Sequence, residues 1–351
     1  MSAEIRQLIE SYYDIQKIRV ETFNRIVCWV KENRERLLEA LSHSTFGSHN
    51  GNVSQIKRDV AQRSVASPDV EAHRDYALKL LESKKYSLFV KKYVLSYEEG
   101  KGPVLIVLKG LIKEIGDLVW FHNKLYETEK ELYARIDGWS KDHPLRRKFL
   151  NGVKGIGPIL ASGIISWLAT ERMYTISGVV KVKGREVTVK RRGVKEKIVL
   201  PEYVEIVKAG ESEIIVKAPP VMEVADRVSK LWSYVGLAPG QERKKGKRVN
   251  YNPKLKTFCW KIGQSFIKFR CKGRILYEEF KKEAEQKHPD WSKLHIHNHA
   301  RRKMVKLFLA AVWEKWRKMN NLPVTEPYPI QVLGHTKKIT PEWWIERGVE
   351  P

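Results

Sequence analysis

The chain has 351 residues, enough for two or three domains with sizeable cores. It carries 66 Lys and Arg residues against 41 Asp and Glu residues, a formal net charge of +25 that favours a polyanionic partner. No apolar run approaches the roughly 20 residues of a bilayer span. The start MSAEIRQLIE does not resemble a signal peptide. We therefore expect a cytoplasmic, nucleoid-associated protein with no membrane partner.

Residue usage adds two weaker expectations. The three cysteines are an odd count without paired spacing, so no disulfide framework is predicted. A composition rich in Lys and Glu is compatible with a thermophilic source.

The first part of the chain predicts an N-terminal helical region, residues 1–103. Apolar residues recur at helical spacing over residues 3–41. A stretch rich in Ser, Gly, Asn and His follows and predicts a polar linker, residues 42–67. The helical pattern resumes near Pro68 and breaks again at residues 97–103.

Residues 104–140 predict a coiled-coil stalk, because apolar side chains recur alternately four and three residues apart. A single helix of this length would extend roughly 54 Å, and it would form either a homodimer or an intramolecular hairpin. The two polar seam positions, His122 and Glu129, either fix the register or lie at the edge of the seam. The eleven seam positions, nine of them apolar, are Val104, Leu108, Leu111, Ile115, Leu118, His122, Leu125, Glu129, Leu132, Ile136 and Trp139.

Residues 150–169 have the pattern of a helix-hairpin-helix motif. Glycines at 152, 155 and 157 suit a tight turn that approaches a ligand closely, and Pro158 suits the first turn of a helix. Free backbone amides at such a turn, beside Lys154, would bind a nucleic-acid phosphate without reading bases. The alternative is an ordinary turn between two core helices.

Further along, residues 174–218 alternate apolar and charged side chains between glycines, which predicts a small antiparallel β insert. A turn at residues 236–240 then leads into a basic loop and a helix starting near Pro253. The helix predicted over residues 299–319 carries basic residues in its first two turns, where they oppose the helix dipole and therefore suggest a ligand. A merely solvated face remains the alternative. Residues 321–351 predict an extended tail on the surface.

Two blocks, residues 153–168 and the segment KLWSYVGLAPGQ with the basic loop after it, resemble the C-terminal domain of insertion-sequence 110-type transposases (insertion sequences 116/110/902). The resemblance covers residues 104–318 apart from the insert, and the end of this region is similar to archaeal members. It implies a DNA recombinase, often oligomeric, which in some members works with a structured RNA. The family's chemistry uses an N-terminal ribonuclease-H-like cluster of acids and a serine after the GL-x-P turn.

This sequence departs from the family at both catalytic parts. Residues 1–103 lack the strand and acid pattern of a ribonuclease-H-like domain, and Lys244 and Lys245 stand where the serine is expected. His295 and His299 have a spacing that suits zinc, but no cysteine or acid completes a site, so phosphate contacts or a packed turn are favoured over metal. We therefore predict no catalytic residues, no metal and no cofactor.

The sequence as a whole predicts a mainly α fold: a helical bundle with a long coiled-coil helix, a helix-hairpin-helix DNA-binding motif and a small antiparallel β insert. We expect residues 141–320 to form the transposase-like domain of a DNA-binding, recombination-related protein without its own nuclease. The alternatives are an active recombinase or structure-specific nuclease, and a protein that binds structured RNA. The predicted nucleic-acid contacts are Lys154, Gly155, Ile156, Gly157, Arg243, Lys244, Lys245, Lys247, Arg248, Lys254, Lys256, Arg301, Arg302 and Lys303.

Overall fold

The structure, a computed structural model, is mainly helical and contains a small antiparallel β insert, as the sequence predicts. The chain divides into two compact units, one of residues 11–132 and one of residues 1–10 with 133–351. The predicted break at residues 97–103 and nearly all of the predicted polar linker lie outside the described residues. The structure describes residues 2–42, 67–95, 105–191, 193–241, 245–246, 249–326 and 339–348.

The unit of residues 11–132 consists of helices around one apolar core. Side chains such as Ile26, Leu37, Leu81, Phe89 and Leu108 are fully enclosed, and burying each contributes about 1.5–3 kcal/mol. Its helices, of which the first and the last extend beyond the unit, are α1 (Ser2–Glu32), α2 (Arg34–Ser42), α3 (Ser67–Glu82), α4 (Tyr86–Phe89) with a π turn (Val90–Val94), α5 (Leu105–Ile112), a 3-10 turn (Lys113–Ile115) and α6 (Gly116–Ser140).

Val104 lies outside the described residues, and from Leu108 onward the predicted heptad seam lies on the buried face of α5 and α6. Every seam position from Leu108 to Trp139 is buried or half-buried, whereas the positions between them are mostly exposed. The 3-10 turn Lys113–Ile115 separates α5 from α6, and the residues on both sides of it are helical. The described seam positions therefore share a buried face, while the coiled coil itself stays a prediction.

Helix α1 covers this seam within residues 11–132. The Glu129 carboxylate accepts a hydrogen bond from Gln16 Nε2 at 2.9 Å and pairs with Arg19 Nε at 2.5 Å. The rings of Phe23 and His122 lie 6.0 Å apart. From Gln16 to Phe23 the contacts advance seven residues along α1, and from Glu129 to His122 they move back seven residues along α6. The two helices are therefore antiparallel. This is the packing of an intramolecular hairpin, and a homodimer through the same seam would have to displace α1.

The other unit contains the helices of the predicted transposase-like region. They are α7 (Pro144–Lys148), a 3-10 turn (Leu150–Gly152), α8 (Pro158–Ile164) with a π turn (Ile165–Ala169), α9 (Val221–Val224), α10 (Val228–Tyr234), α11 (Pro253–Phe269), α12 (Lys272–Lys287), α13 (Lys293–Met319) and a 3-10 turn (Pro341–Trp344).

Helix α13 begins six residues earlier than predicted. The Ser292 hydroxyl accepts a hydrogen bond from the His295 amide at 3.2 Å and caps the helix at Lys293. Arg301 therefore lies in the third turn rather than in the first two. The effect of the helix dipole fades within the first turn, so the predicted opposition between basic residues and the dipole does not occur.

The β insert consists of two three-stranded antiparallel sheets, which confirms the prediction. One sheet has the order β1-β6-β5 and the other β2-β3-β4. Because β1 and β6 pair from Arg172 opposite Ala218 to Ser177 opposite Glu213, the insert leaves and re-enters the helices at neighbouring points. The strands are β1 (Arg172–Ser177), β2 (Val179–Lys183), β3 (Glu186–Arg191), β4 (Val194–Val199), β5 (Glu205–Ala209) and β6 (Glu213–Ala218).

The C-terminal segment, residues 339–348, is anchored in the core. The Trp344 side chain is 1% exposed, and its ring lies 5.4 Å from that of Phe266 and 5.2 Å from that of Phe308. The predicted extended surface tail is therefore wrong for these residues, since burial of a large indole outweighs the local preference of proline-rich sequence for extended chain. Residues 327–338 lie outside the described part.

Candidate nucleic-acid interface

The predicted hairpin is a turn of residues 153–157 that leads into α8. The Ile156 amide donates to the Val153 carbonyl at 3.1 Å. Gly155 has φ = +95°, a backbone conformation that only glycine adopts without strain. Gly157 precedes α8, and Pro158 lies at the start of the helix, as predicted.

The two glycines of this turn have different surroundings. Gly155 is buried, and a Cβ added there would lie 3.0 Å from the Phe266 ring. Its carbonyl accepts a hydrogen bond from the Ser265 hydroxyl at 2.5 Å. Gly157 is exposed, and an added Cβ would meet nothing within 4 Å. Only the Gly157 side of the turn, together with the half-exposed Lys154, is therefore open to a ligand.

The other glycine of the motif anchors the C-terminal segment. The Gly152 carbonyl accepts hydrogen bonds from the amides of Glu346 at 2.8 Å and Arg347 at 3.1 Å, and Val153 pairs with Ile345 in an antiparallel bridge. Gly152 is thus a structural part of the turn rather than a ligand contact.

Arg146, on the approach to the hairpin, is also structural. Its guanidinium is buried, forms an ion pair with Asp137 and donates to the Ser140 hydroxyl at 2.7 Å. A further hydrogen bond of 3.2 Å reaches Asn151. These contacts hold the end of α6 against the entry to the turn.

The strongest concentration of predicted contacts is a cavity between α11 and α13 with a volume of about 310 Å³. Three predicted residues, Lys256, Arg301 and Arg302, line it together. The wall contains no Asp or Glu within the described part of the chain. Other wall residues include His295 and His299, for which the sequence favours phosphate contacts or a packed turn, and Leu237, Cys259, Trp260 and Asn298, which the sequence did not predict.

Aromatic rings and an amide orient the cations of this cavity. The Arg301 guanidinium carbon lies 5.1 Å from the centre of the Trp260 ring, and Arg301 Nη2 donates to Asn298 Oδ1 at 2.8 Å. The arginine stem crosses α11 at Gly263, where a Cβ would come within 2.6 Å of it. Lys256 Nζ lies 4.3 Å from the centre of the Tyr251 ring. Burial lowers the pKa of Arg301, so an anion that compensates for the lost hydration would bind favourably.

A histidine cluster borders the cavity. The Trp291 ring stacks on His288, with centres 3.9 Å apart, and contacts His295 at 4.2 Å and His299 at 5.2 Å. Burial, reinforced by Arg302, lowers the pKa of His299. No cluster of three metal-ligating side chains occurs among the described residues. Recognition of Ser292 as a helix cap would have aligned His295, His299 and Arg302 on one face of α13.

Other predicted contacts lie elsewhere in the unit. Lys254 pairs with Glu10 at 2.8 Å, and Lys303 pairs with Glu283 at 2.8 Å. Hydrogen bonds from Lys287 and Lys303 lower the pKa of Glu283 to about 2, in keeping with a firm pair. Lys245 is exposed in the basic loop. The remaining loop cations, Arg243, Lys244, Lys247 and Arg248, lie outside the described residues.

The hairpin and the cavity lie on different faces of α11. Ser265 contacts the hairpin, whereas Lys256 and Trp260 line the cavity. At 100° per residue, Ser265 is roughly 140–180° around the helix from those two positions. The structure thus brings the cavity residues together but does not add the hairpin to them.

The cavity wall offers binding groups rather than an activated nucleophile. Burial raises the pKa of Cys259 to about 12, so this thiol is protonated at neutral pH and is a poor nucleophile. Guanidinium, ammonium, ring faces and an amide remain, which suit an anion attached to a flat ring.

No protein family, curated protein or solved structure matches the chain. Among the described residues, every helix is too short or too polar to cross a bilayer.

Proposed function

We propose that this protein binds DNA, gripping duplex or branched molecules through the phosphate backbone. The observation that carries the proposal is the convergence of Lys256, Arg301 and Arg302 in one cavity whose described wall has no carboxylate. A net charge of +25 supplies long-range attraction to a polyanion. Clustered Lys and Arg side chains are the groups that neutralise phosphates and release counterions.

The hairpin supplies a second, smaller contact in this proposal. The exposed backbone at Gly157 and the half-exposed Lys154 are accessible together. Backbone amides and lysines bind phosphate oxygens without reading bases. The two contact regions lie on different faces of α11, so they would hold separate stretches of a nucleic acid.

The resemblance to insertion-sequence 110-type transposases supports the same proposal, because its second block adjoins the cavity. Leu237, in the GLAP turn, is part of the cavity wall. Gly236 has φ = +73° and packs against Tyr251, which in turn contacts Lys256. We propose a relationship to such mobile-element recombinases and a role in DNA recombination.

In this proposal the protein binds DNA without cutting it. Lys244 and Lys245 replace the family's serine, and serine chemistry needs a hydroxyl beside a base or acid cluster. Incubation with magnesium and linear or branched DNA should leave the DNA intact. A cleavage product that disappears when a single carboxylate is changed would overturn this part.

Substitution of two neighbouring basic residues tests whether the cavity binds phosphates. Arg302 is exposed and lines the cavity, whereas Lys303 is engaged by Glu283. Each phosphate contact contributes about −0.9 to the slope of log K against log salt on duplex DNA. Arg302→Ala should make the slope shallower by about one unit, while the matched control Lys303→Ala leaves it unchanged. Equal slopes in both variants and the parent would remove the cavity from the interface.

Duplex DNA and a structured RNA can then compete for the protein at constant salt. The DNA proposal requires that duplex or branched DNA displaces the RNA at comparable concentration. If the structured RNA displaces the DNA while the DNA does not displace the RNA, the RNA-binding alternative is favoured.

A further inference from the structure

The size of the cavity limits what can enter it. At about 310 Å³ it lies at the lower limit of the roughly 300–1,000 Å³ typical of small-molecule sites. The stacked interior of a duplex cannot enter such a space, and only its phosphates could approach the rim. A single nucleotide turned out of a strand is small enough to bring its base inside.

The wall chemistry suits both parts of a nucleotide. The Trp260 side chain is 49% exposed despite its contact with Arg301, so ring surface remains for stacking. Asn298 uses its oxygen for Arg301, which leaves its amide hydrogens to donate to a base edge. Lys256 and Arg302 add two cations to the same wall, where they can take the phosphate.

His299 adds a neutral polar group to this wall. Burial lowers its pKa below the ordinary value of 6.5, and a neutral imidazole both donates and accepts one hydrogen bond. The Trp291 ring packs against it at 5.2 Å and restricts its position. A neutral imidazole adds no charge attraction to a bare phosphate, whereas it can form hydrogen bonds with the edge of a base.

We infer that the cavity takes one unpaired nucleotide, with the base stacked on Trp260 and the phosphate between Lys256 and Arg302. This inference rests on the proposed nucleic-acid binding and specifies its substrate: DNA with an unpaired position rather than continuous duplex. Base stacking on an aromatic side chain tolerates any base, so the preference concerns structure and not sequence.

The test compares a duplex with the same duplex carrying one extra, unpaired 2-aminopurine. The full-length protein should bind the bulged DNA about ten-fold more tightly, the order expected when one base gains an aromatic stacking partner. Binding should also quench the 2-aminopurine fluorescence through contact with the indole. Trp260→Ala should abolish both the preference and the quenching, and Trp260→Phe should retain part of each.

The matched control is Phe269→Ala. Phe269 is an aromatic residue on the same helix, 55% exposed, and is absent from the cavity wall, so its removal should change neither readout. Equal affinity for bulged and continuous duplex, with fluorescence unchanged on binding, would overturn the inference while leaving the proposed DNA binding intact. Failure to bind either DNA would instead remove the proposed function.

Discussion

An alanine Cβ at Gly163 would lie 2.0 Å from the tip of the Phe258 ring. Gly163 belongs to α8 and Phe258 to α11, so the missing side chain lets these helices approach closely. Gly163→Ala should destabilise the protein by about 3 kcal/mol, because overpacking a close helix contact forces the backbone or ring to move. Urea denaturation measures the change.

The rescue variant makes this first prediction specific. Phe258→Leu in the Gly163→Ala background should recover part of the lost stability, giving a favourable coupling in a double-mutant cycle. Additive effects of the two substitutions would show that the contact is not the cause.

The hairpin glycines should respond differently to substitution. Gly155→Val combines φ = +95° with an approach of 3.0 Å to Phe266, so we expect loss of folding rather than a selective loss of DNA binding. Gly157→Ala has open space and φ = −91° and should fold normally. Circular dichroism and thermal unfolding of both variants check this. A stable, fully folded Gly155→Val protein would contradict the assigned turn.

The polar layer between α1 and α6 should matter more than a surface ion pair. Glu129→Ala leaves Arg19 and Gln16 without their partner at a site where the Arg19 and Glu129 side chains are 23% and 11% exposed. We expect a loss of about 1–3 kcal/mol, reduced from the fully buried case by partial hydration. Glu127→Ala on the same helix, which breaks an exposed pair with Lys124, should cost less than about 1 kcal/mol.

Sedimentation distinguishes this packing from the homodimer. Because α1 covers the seam, Glu129→Ala should lower stability equally at all protein concentrations without changing the sedimenting species. A wild-type dimer that dissociates in the variant would support an intermolecular seam.

His122 should make stability depend on pH. Burial lowers its pKa from the ordinary 6.5, and the contact with Asn123 only partly opposes this. Below pH 6.5 the unfolded chain therefore binds the proton more readily than the folded chain, so stability falls as pH decreases and is fully present above pH 6.5. His122→Leu should flatten this part of the stability curve relative to the parent. Parallel curves for both proteins would rule out His122 as the cause.

Much of the helical architecture could be predicted because it depends on local periodicity. The spacing of four and three identified the buried face of α5 and α6, including His122 and Glu129. It could not show that α1 covers that face, since heptad spacing is equally compatible with a second chain. The alternating valines likewise predicted the insert but not its division into two sheets.

The candidate site was harder to predict because proximity across helices decides it. Arg301, Arg302 and Lys303 are adjacent in sequence, yet only the first two line the cavity while Glu283 engages the third. Trp260 has the same apparent helical spacing as core residues but is half exposed. No local pattern distinguishes these cases.

The anchoring of residues 339–348 on the hairpin affects how the protein can be made. Gly152 receives its hydrogen bonds from residues almost two hundred positions later, and Arg6, near the start of α1, lies 4.9 Å from the Trp167 ring centre. On the ribosome, where synthesis proceeds from the N-terminus, the first turns of α1, which include Arg6, must wait for later residues such as Trp167. Residues 11–132 can thus fold as a unit during translation. The unit that contains the cavity can complete its fold only after residue 348 has left the ribosomal exit tunnel.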